Sequence, residues 1–284
     1  MVDDALQVRF WGVRGSIPVC GPEFLRFGGN TACVEMRCGR HTLLFDAGSG
    51  LRSAGKALRR AKLTELDLFF THCHYDHILG FPYFALLYDE NIRISVWSGH
   101  LAGRMTTVQM LEEFMRSPWF PARLDVCRAN LISHDFTSGE LLHPRDGITI
   151  RTGSLNHPDG CIGYRVEWGG RVVALISDTE HDPGKLDPVV LDLIRDADLV
   201  IYDCTYTEEE MPRRYGFGHS TWQQGVKLCK AAGSRGLALF HHDPTRTDTE
   251  LEVLEHKASS AFAGAFAARD GQTLNFPRLT GANS

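Results

Sequence analysis

The chain has no run of the roughly 20 apolar residues that a helix needs to cross a bilayer, so no membrane span is expected. Its start, Met1-Val2-Asp3-Asp4, opens on acids and lacks the basic and apolar regions of an export signal, which points to the cytoplasm. The eight cysteines are scattered from Cys20 to Cys229 without a Cys-x-x-Cys pair, as expected of reduced thiols in a large chain. Positive charge is also short. The 30 basic side chains against 35 acidic ones leave a net charge of −5, which argues against gripping nucleic acid through bulk charge. Repeats, low-complexity tracts and charged linkers are missing, so residues 1–284 read as one domain.

Short apolar, β-branched runs are plentiful: 8–11, 33–37, 42–45, 66–70, 92–97, 148–152, 162–166, 172–176, 199–202 and 237–240. Four to six residues bounded by Gly, Asn or Asp suit strands, and Trp168-Gly169-Gly170-Arg171 is a hairpin signal. Helical patterns fall at 51–61, 78–88, 106–115, 186–194, 222–232 and 249–263, with Gly233 as a C-cap. Early strands follow one another and later ones alternate with helices, which predicts an α/β fold of two contacting sheets with helices outside. Residues 100–146 are the least regular stretch. They read as an insertion that could cap a pocket, or as a surface excursion.

The sharpest signal is Thr71-His72-Cys73-His74-Tyr75-Asp76-His77, directly after the run 66–70. Only 13 residues in 284 are histidine, so three at this spacing with an aspartate do not arise by chance. Imidazole and carboxylate together suit Zn²⁺ or a similar metal, and four ligands this close cannot easily share one ion, which suggests two. His157, Asp178 and the pair His241-His242 stand at the ends of other predicted strands, where they could join the cluster.

This pattern resembles the metallo-β-lactamase fold superfamily, whose signature is the His-x-His-x-Asp-His loop followed by a distant His, an Asp and a final His. The resemblance runs from about Val8 to Asp248 and implies an αβ/βα four-layer sandwich with a dinuclear metal site at one edge. It implies His72, His74 and His157 as ligands of one divalent ion, Asp76, His77 and His241 as ligands of the other, and Asp178 as the bridge. Zn²⁺ leads as the metal, with Mn²⁺ and Fe²⁺ compatible. His241 is preferred to His242 because it directly follows its strand. Asp46 matches the early aspartate that braces the histidine loop.

Asp203-Cys204-Thr205 and Gly218-His219-Ser220-Thr221 resemble elements of the tRNase Z and cyclic-nucleotide phosphodiesterase branch. There a carboxylate and a histidine meet beside the metals, so Asp203 and His219 would form a general acid. Arg14, Asn30 and Thr31, in glycine-bearing loops similar to those of this branch, could contact a phosphate. The resemblance thus implies hydrolysis of a small nucleotide phosphodiester, cyclic ones included. A hydroxide bridging two ions would attack phosphorus, Asp76 would orient it and His219 would protonate the leaving oxygen. Only 21 positions separate His157 from Asp178, where tRNase Z enzymes carry a tRNA-clamping arm, so a large tRNA-type substrate is not expected. Arg246 and Asp248 read as loop supports. A homodimer would suit the family, with Trp119 and Phe120 at its interface. A thioesterase, a lactonase or a non-catalytic nucleotide-binding module would share the same metal ligands.

Overall fold

A computed structural model describes residues 5–279. Strands β1 (Ala5–Gly12), β2 (Cys33–Cys38), β3 (His41–Phe45), β4 (Glu65–Phe70), β5 (Arg93–Ser98) and β6 (Asn130–Asp135) lie side by side in that order. The second sheet runs from β7 (Leu141–Leu142) through β8 (Thr149–Leu155), β9 (Cys161–Trp168), β10 (Arg171–Ile176), β11 (Leu199–Asp203) and β12 (Leu237–Phe240) to β13 (Ala265–Ala267). The last strand, β14 (Thr273–Pro277), returns to pair with β1 and makes both sheets seven-stranded. Each sheet has an antiparallel part and a parallel part. In the first, β3, β4, β5 and β6 are parallel; in the second, β10, β11, β12 and β13 are.

The sequence of β4, Glu-Leu-Asp-Leu-Phe-Phe, shows how two apolar layers arise from one strand. Phe69 faces the other sheet, while Leu66, Leu68 and Phe70 face outward against Leu51, Ala54 and Leu58 of α1 (Leu51–Arg60). A strand covered on both faces needs a nearly continuous apolar run, and the spacing within α1 turns one helical stripe toward it. The next helices are α2 (Tyr75–Ile78), α3 (Thr107–Phe114) and α4 (Pro188–Ile194). With α5 (Trp222–Ala232) and α6 (Asp248–Ala261), α4 covers the outer face of the second sheet, giving four layers. Between the sheets Phe45 and Phe69 stack at 5.1 Å, and the Tyr164 hydroxyl donates to the Phe70 carbonyl at 2.6 Å. That bond crosses from β9 to β4 one residue before the histidine loop.

The helix expected over 78–88 is not one helix. Pro82 has no N–H to give and its ring crowds the preceding turn, so α2 ends at Ile78 and two 3-10 turns follow, Phe81–Tyr83 and Ala85–Tyr88. The Gly169-Gly170 hairpin turn has both residues at positive φ, and Gly233 ends α5 in the left-handed conformation. Residues 100–146 carry α3, β6 and β7 and lead the chain from one sheet to the other. No helix among the described residues is long and apolar enough to cross a membrane.

Two carboxylates carry polar contacts within the fold, Asp67 on the central strand β4 and Asp270 after β13. Arg145 donates to Asp67 at 2.7 Å and to Glu65 at 2.8 Å, and Asp67 also accepts from the Trp97 indole at 3.0 Å. Asp67 is buried, which pushes its carboxyl up against the opposing pull of Arg145. Arg145→Met should therefore lower stability by about 3 kcal/mol, read by denaturant unfolding, because it strands a buried carboxylate. Asp270, beyond β13, is likewise pushed up to about 6 by burial, despite bonds from Asn30. Its charged form is thus disfavoured in the folded chain: no penalty applies below about pH 4, and it grows until pH passes about 6. The stability of wild type relative to Asp270→Asn should fall by up to about 3 kcal/mol across that window and then stay level.

Candidate active site

The candidate residues come together where the carboxyl ends of strands from both sheets meet, the usual place for a site in α/β folds. Asp46 follows β3, His72 to His77 follow β4, and His157 follows β8. Asp178, Thr205 and His241 follow β10, β11 and β12, and Asp203 is the last residue of β11. Three of these, Asp46 (φ 63°), Asp178 (φ 58°) and His241 (φ 58°), adopt the left-handed conformation, which swings the chain sharply as it leaves the sheet. The neighbouring backbone comes very close: a side chain at Gly15 would put Cβ 2.1 Å from the His241 ring.

Outer partners sort the imidazole nitrogens. His77 Nδ1 donates to Asp46 at 2.9 Å and His157 Nδ1 to the Gly218 carbonyl at 2.7 Å. Thr71 Oγ1 gives its proton to Asp46 and therefore accepts from His72 Nδ1 at 3.0 Å. Thr205 Oγ1 likewise donates to Asp203 at 2.7 Å and accepts from His241 Nδ1 at 3.0 Å. These partners assign the tautomers, and all four Nε2 lone pairs then point inward.

Inside, like atoms face like. His72 Nε2 and His157 Nε2 each lie 3.0 Å from His74 Nδ1, and His77 Nε2 lies 3.3 Å from His241 Nε2. Asp178 approaches His77 at 3.3 Å and His241 at 3.2 Å, and lies 3.9 Å from His157. Asp76 accepts from the Ser16 N–H at 2.7 Å and stands 3.1 Å from His241. Lone pairs this close repel unless a cation lies among them, so the donor set fits divalent metal ions. The ligand atoms fall into sets, His72–His74–His157 and Asp76–His77–His241, with Asp178 also within reach of His72 and His77.

His219 stands beside this cluster, its ring 5.0 Å from that of His241 and 5.3 Å from that of His157. Its Nδ1 lies 3.0 Å from the buried Asp203 carboxylate and 3.6 Å from Asp178. Burial would make the imidazolium weaker, but Asp203 and then Asp178 outweigh it and raise His219 to about 9. Thr221 is the N-cap of α5, accepting from the Gln224 N–H, while Ser220 bonds Tyr202.

The three residues expected to contact a phosphate are held elsewhere. Arg14 is wholly buried, and donates to the carbonyls of Gly28, Asp243 and Arg246. Asn30 donates to Asp270 and accepts from Ser49, and Thr31 Oγ1 accepts from the Ser49 N–H. All three brace the N-terminal loops instead of facing the cluster. His242 turns away as well, with Nε2 2.9 Å from the Ala268 carbonyl, so His241 is the histidine that faces the other ligands. Arg246 pairs with Glu210, and Asp248 accepts from the N–H groups of Arg26 and Phe27. Sequence reasoning missed the orienting roles of Thr71 and of the Ser16 N–H. The hydroxyl next to His72 was a usable signal, whereas a backbone donor 60 residues from its acceptor was not.

A family profile described as a beta-lactamase superfamily domain matches residues 41–242. A Ribonuclease Z of Natronomonas pharaonis is 25% identical over 327 aligned positions, covering 96% of this chain and 98% of that protein. A metallo-beta-lactamase fold protein of Bacillus subtilis superposes with a TM-score of 0.72 at 19% identity, over 96% of this chain and 100% of its own. A diphosphatase of the PhnP family gives 0.69 at 16% identity, over 96% and 97%. The likeness to Ribonuclease Z along nearly the whole chain overturns the exclusion of large tRNA-type substrates. With well over half of its length in the profile, the chain belongs to the metallo-β-lactamase superfamily.

Proposed function

We propose that the chain is a dinuclear metal-dependent phosphodiesterase with His219 as its general acid. The observation that carries this reading is the 3.0 Å contact between His219 Nδ1 and Asp203 at the edge of the metal-ligand cluster. One ion would be held by His72, His74 and His157, the other by Asp76, His77 and His241, with Asp178 shared. Bound divalent ions supply charge neutralisation at phosphorus and a water acidic enough to ionise near neutral pH. Asp76, fixed by the Ser16 N–H, orients the attacking water. His219 is cationic at neutral pH, and with Nδ1 committed to Asp203 it has Nε2 left to protonate the departing alkoxide. Asp203 stays ionised, because burial would raise its carboxyl but the His219 imidazolium holds it below the usual range. Nucleotide phosphodiesters, including small cyclic ones, are the substrate class, and the likeness to Ribonuclease Z adds RNA to it. Hydrolysis of a thioester, which expels a thiolate that needs no proton, would leave the Asp203–His219 pair without a task.

His219→Ala should cut kcat by about 10²–10⁴ on a 3′,5′-cyclic nucleotide, and far less on an aryl phosphodiester whose leaving group needs no proton. Steady-state kinetics on the metal-loaded protein with both substrates checks this, and equal losses would sink the general-acid role. Metal content offers a second check. His74→Ala should lower bound metal measured by atomic absorption, whereas Tyr75→Phe should not, because Tyr75 is 77% exposed and points away. Acid should also strip the metal, since each ligand imidazole must be unprotonated to bind.

A further inference from the structure

On the side of His219 away from the metal ligands lies a cavity of about 220 Å³ in which His219 is one wall. We infer that this cavity is a subsite for the leaving half of the substrate, and that it takes an uncharged nucleoside. The inference rests on the phosphodiesterase reading above and adds which part of the substrate goes where.

Position is the first argument. One face of the His219 ring stacks near His241 and His157, and the cavity lies beyond it. A phosphorus over the metal ligands must expel its oxygen toward the acid that protonates it. The cavity shares His219 with the site, so the body attached to that oxygen can enter it.

Size and chemistry agree. Whole-ligand sites measure roughly 300–1,000 Å³, so this one holds a part of a substrate. Tyr215, 48% exposed, and Met211 supply apolar and aromatic surface on which a planar base can stack. Gln224 spends its amide N–H₂ on the Lys185 carbonyl at 3.1 Å, which leaves its side-chain oxygen to accept from a base. The charged groups that line the space are already paired, Lys227 with Glu208 and Asp182 with Lys185 at 3.0 Å. The lining cations His219 and Lys227 each already face a carboxylate, Asp203 and Glu208, so the space suits the uncharged base and sugar next to the leaving oxygen. The wall is also preformed: His181 Nε2 lies 2.6 Å from the buried Tyr202 hydroxyl, which lies 2.8 Å from Ser220 Oγ.

The test compares two substrates that share a retained nucleoside 5′-phosphate. One, a dinucleoside monophosphate, expels a nucleoside 3′-oxygen; the other, a nucleoside 5′-phosphorofluoridate, expels fluoride and places nothing in the cavity. In metal-loaded protein, Tyr215→Ala and Gln224→Ala should each lower kcat/KM on the dinucleotide about tenfold or more, mainly through KM, and leave the fluoridate within about twofold. Equal losses on both substrates, or none on either, would overturn the subsite. Calorimetric titration of adenosine decides the matter independently of turnover. Adenosine binding that weakens about tenfold in Tyr215→Ala supports the subsite even if wild type cleaves neither ester, in which case the phosphodiesterase reading alone falls. Absence of adenosine binding to wild type overturns the subsite whatever the kinetics show.

Discussion

The strand-end cluster depends on hydrogen bonds that point away from it. Asp46, Thr71, Thr205 and the Gly218 carbonyl each take one imidazole proton, and by doing so they fix which nitrogen of each ring faces inward. Without them each neutral ring could present either a proton or a lone pair, and a site needing four inward lone pairs would seldom be assembled. The two threonines act as relays, since each passes its own proton to a buried carboxylate, Asp46 or Asp203. Two aspartates that stand outside both ligand sets thereby fix the tautomers of His72, His77 and His241.

The same arrangement joins the two sheets. The first contributes Asp46 and the loop from His72 to His77, and the second contributes His157, Asp178 and His241. Asp178 lies within 3.3 Å of His77 and of His241, so the charge at the centre of the cluster binds ligands from both layers. The Tyr164 bond to the Phe70 carbonyl fixes the distance between the layers one residue before the histidine loop begins. Packing between the sheets and geometry at the site are thus one constraint.

Much of this was legible in the sequence. Strands covered on both faces, such as β4 and β11, announce themselves as apolar runs, and the His-x-His-x-Asp-His loop carried its own spacing. The four strands not foreseen, β6, β7, β13 and β14, are the four edges of the two sheets. An edge strand pairs on one side only and tolerates polar residues, so Asn130–Asp135 and Thr273–Pro277 lack the apolar signal of their neighbours. The roles of Arg14 and Asn30 were illegible for a different reason. A guanidinium in a glycine-bearing loop reads the same whether it meets a phosphate or three carbonyls, and only the path of residues 28, 243 and 246 in space decides.

Asp46, Asp178 and His241 leave their strands in a backbone conformation that glycine and asparagine adopt more readily than most residues. Each holds it at a cost of order 1 kcal/mol, offset by what its side chain does at the site. That cost would persist in a chain whose site had fallen out of use. A lineage of this fold that gave up its chemistry would therefore drift first at Asp178 and His241, toward glycine or asparagine, and gain stability as it did so. Positive φ under a ligating side chain is thus a mark by which a working copy of the fold can be told from a retired one.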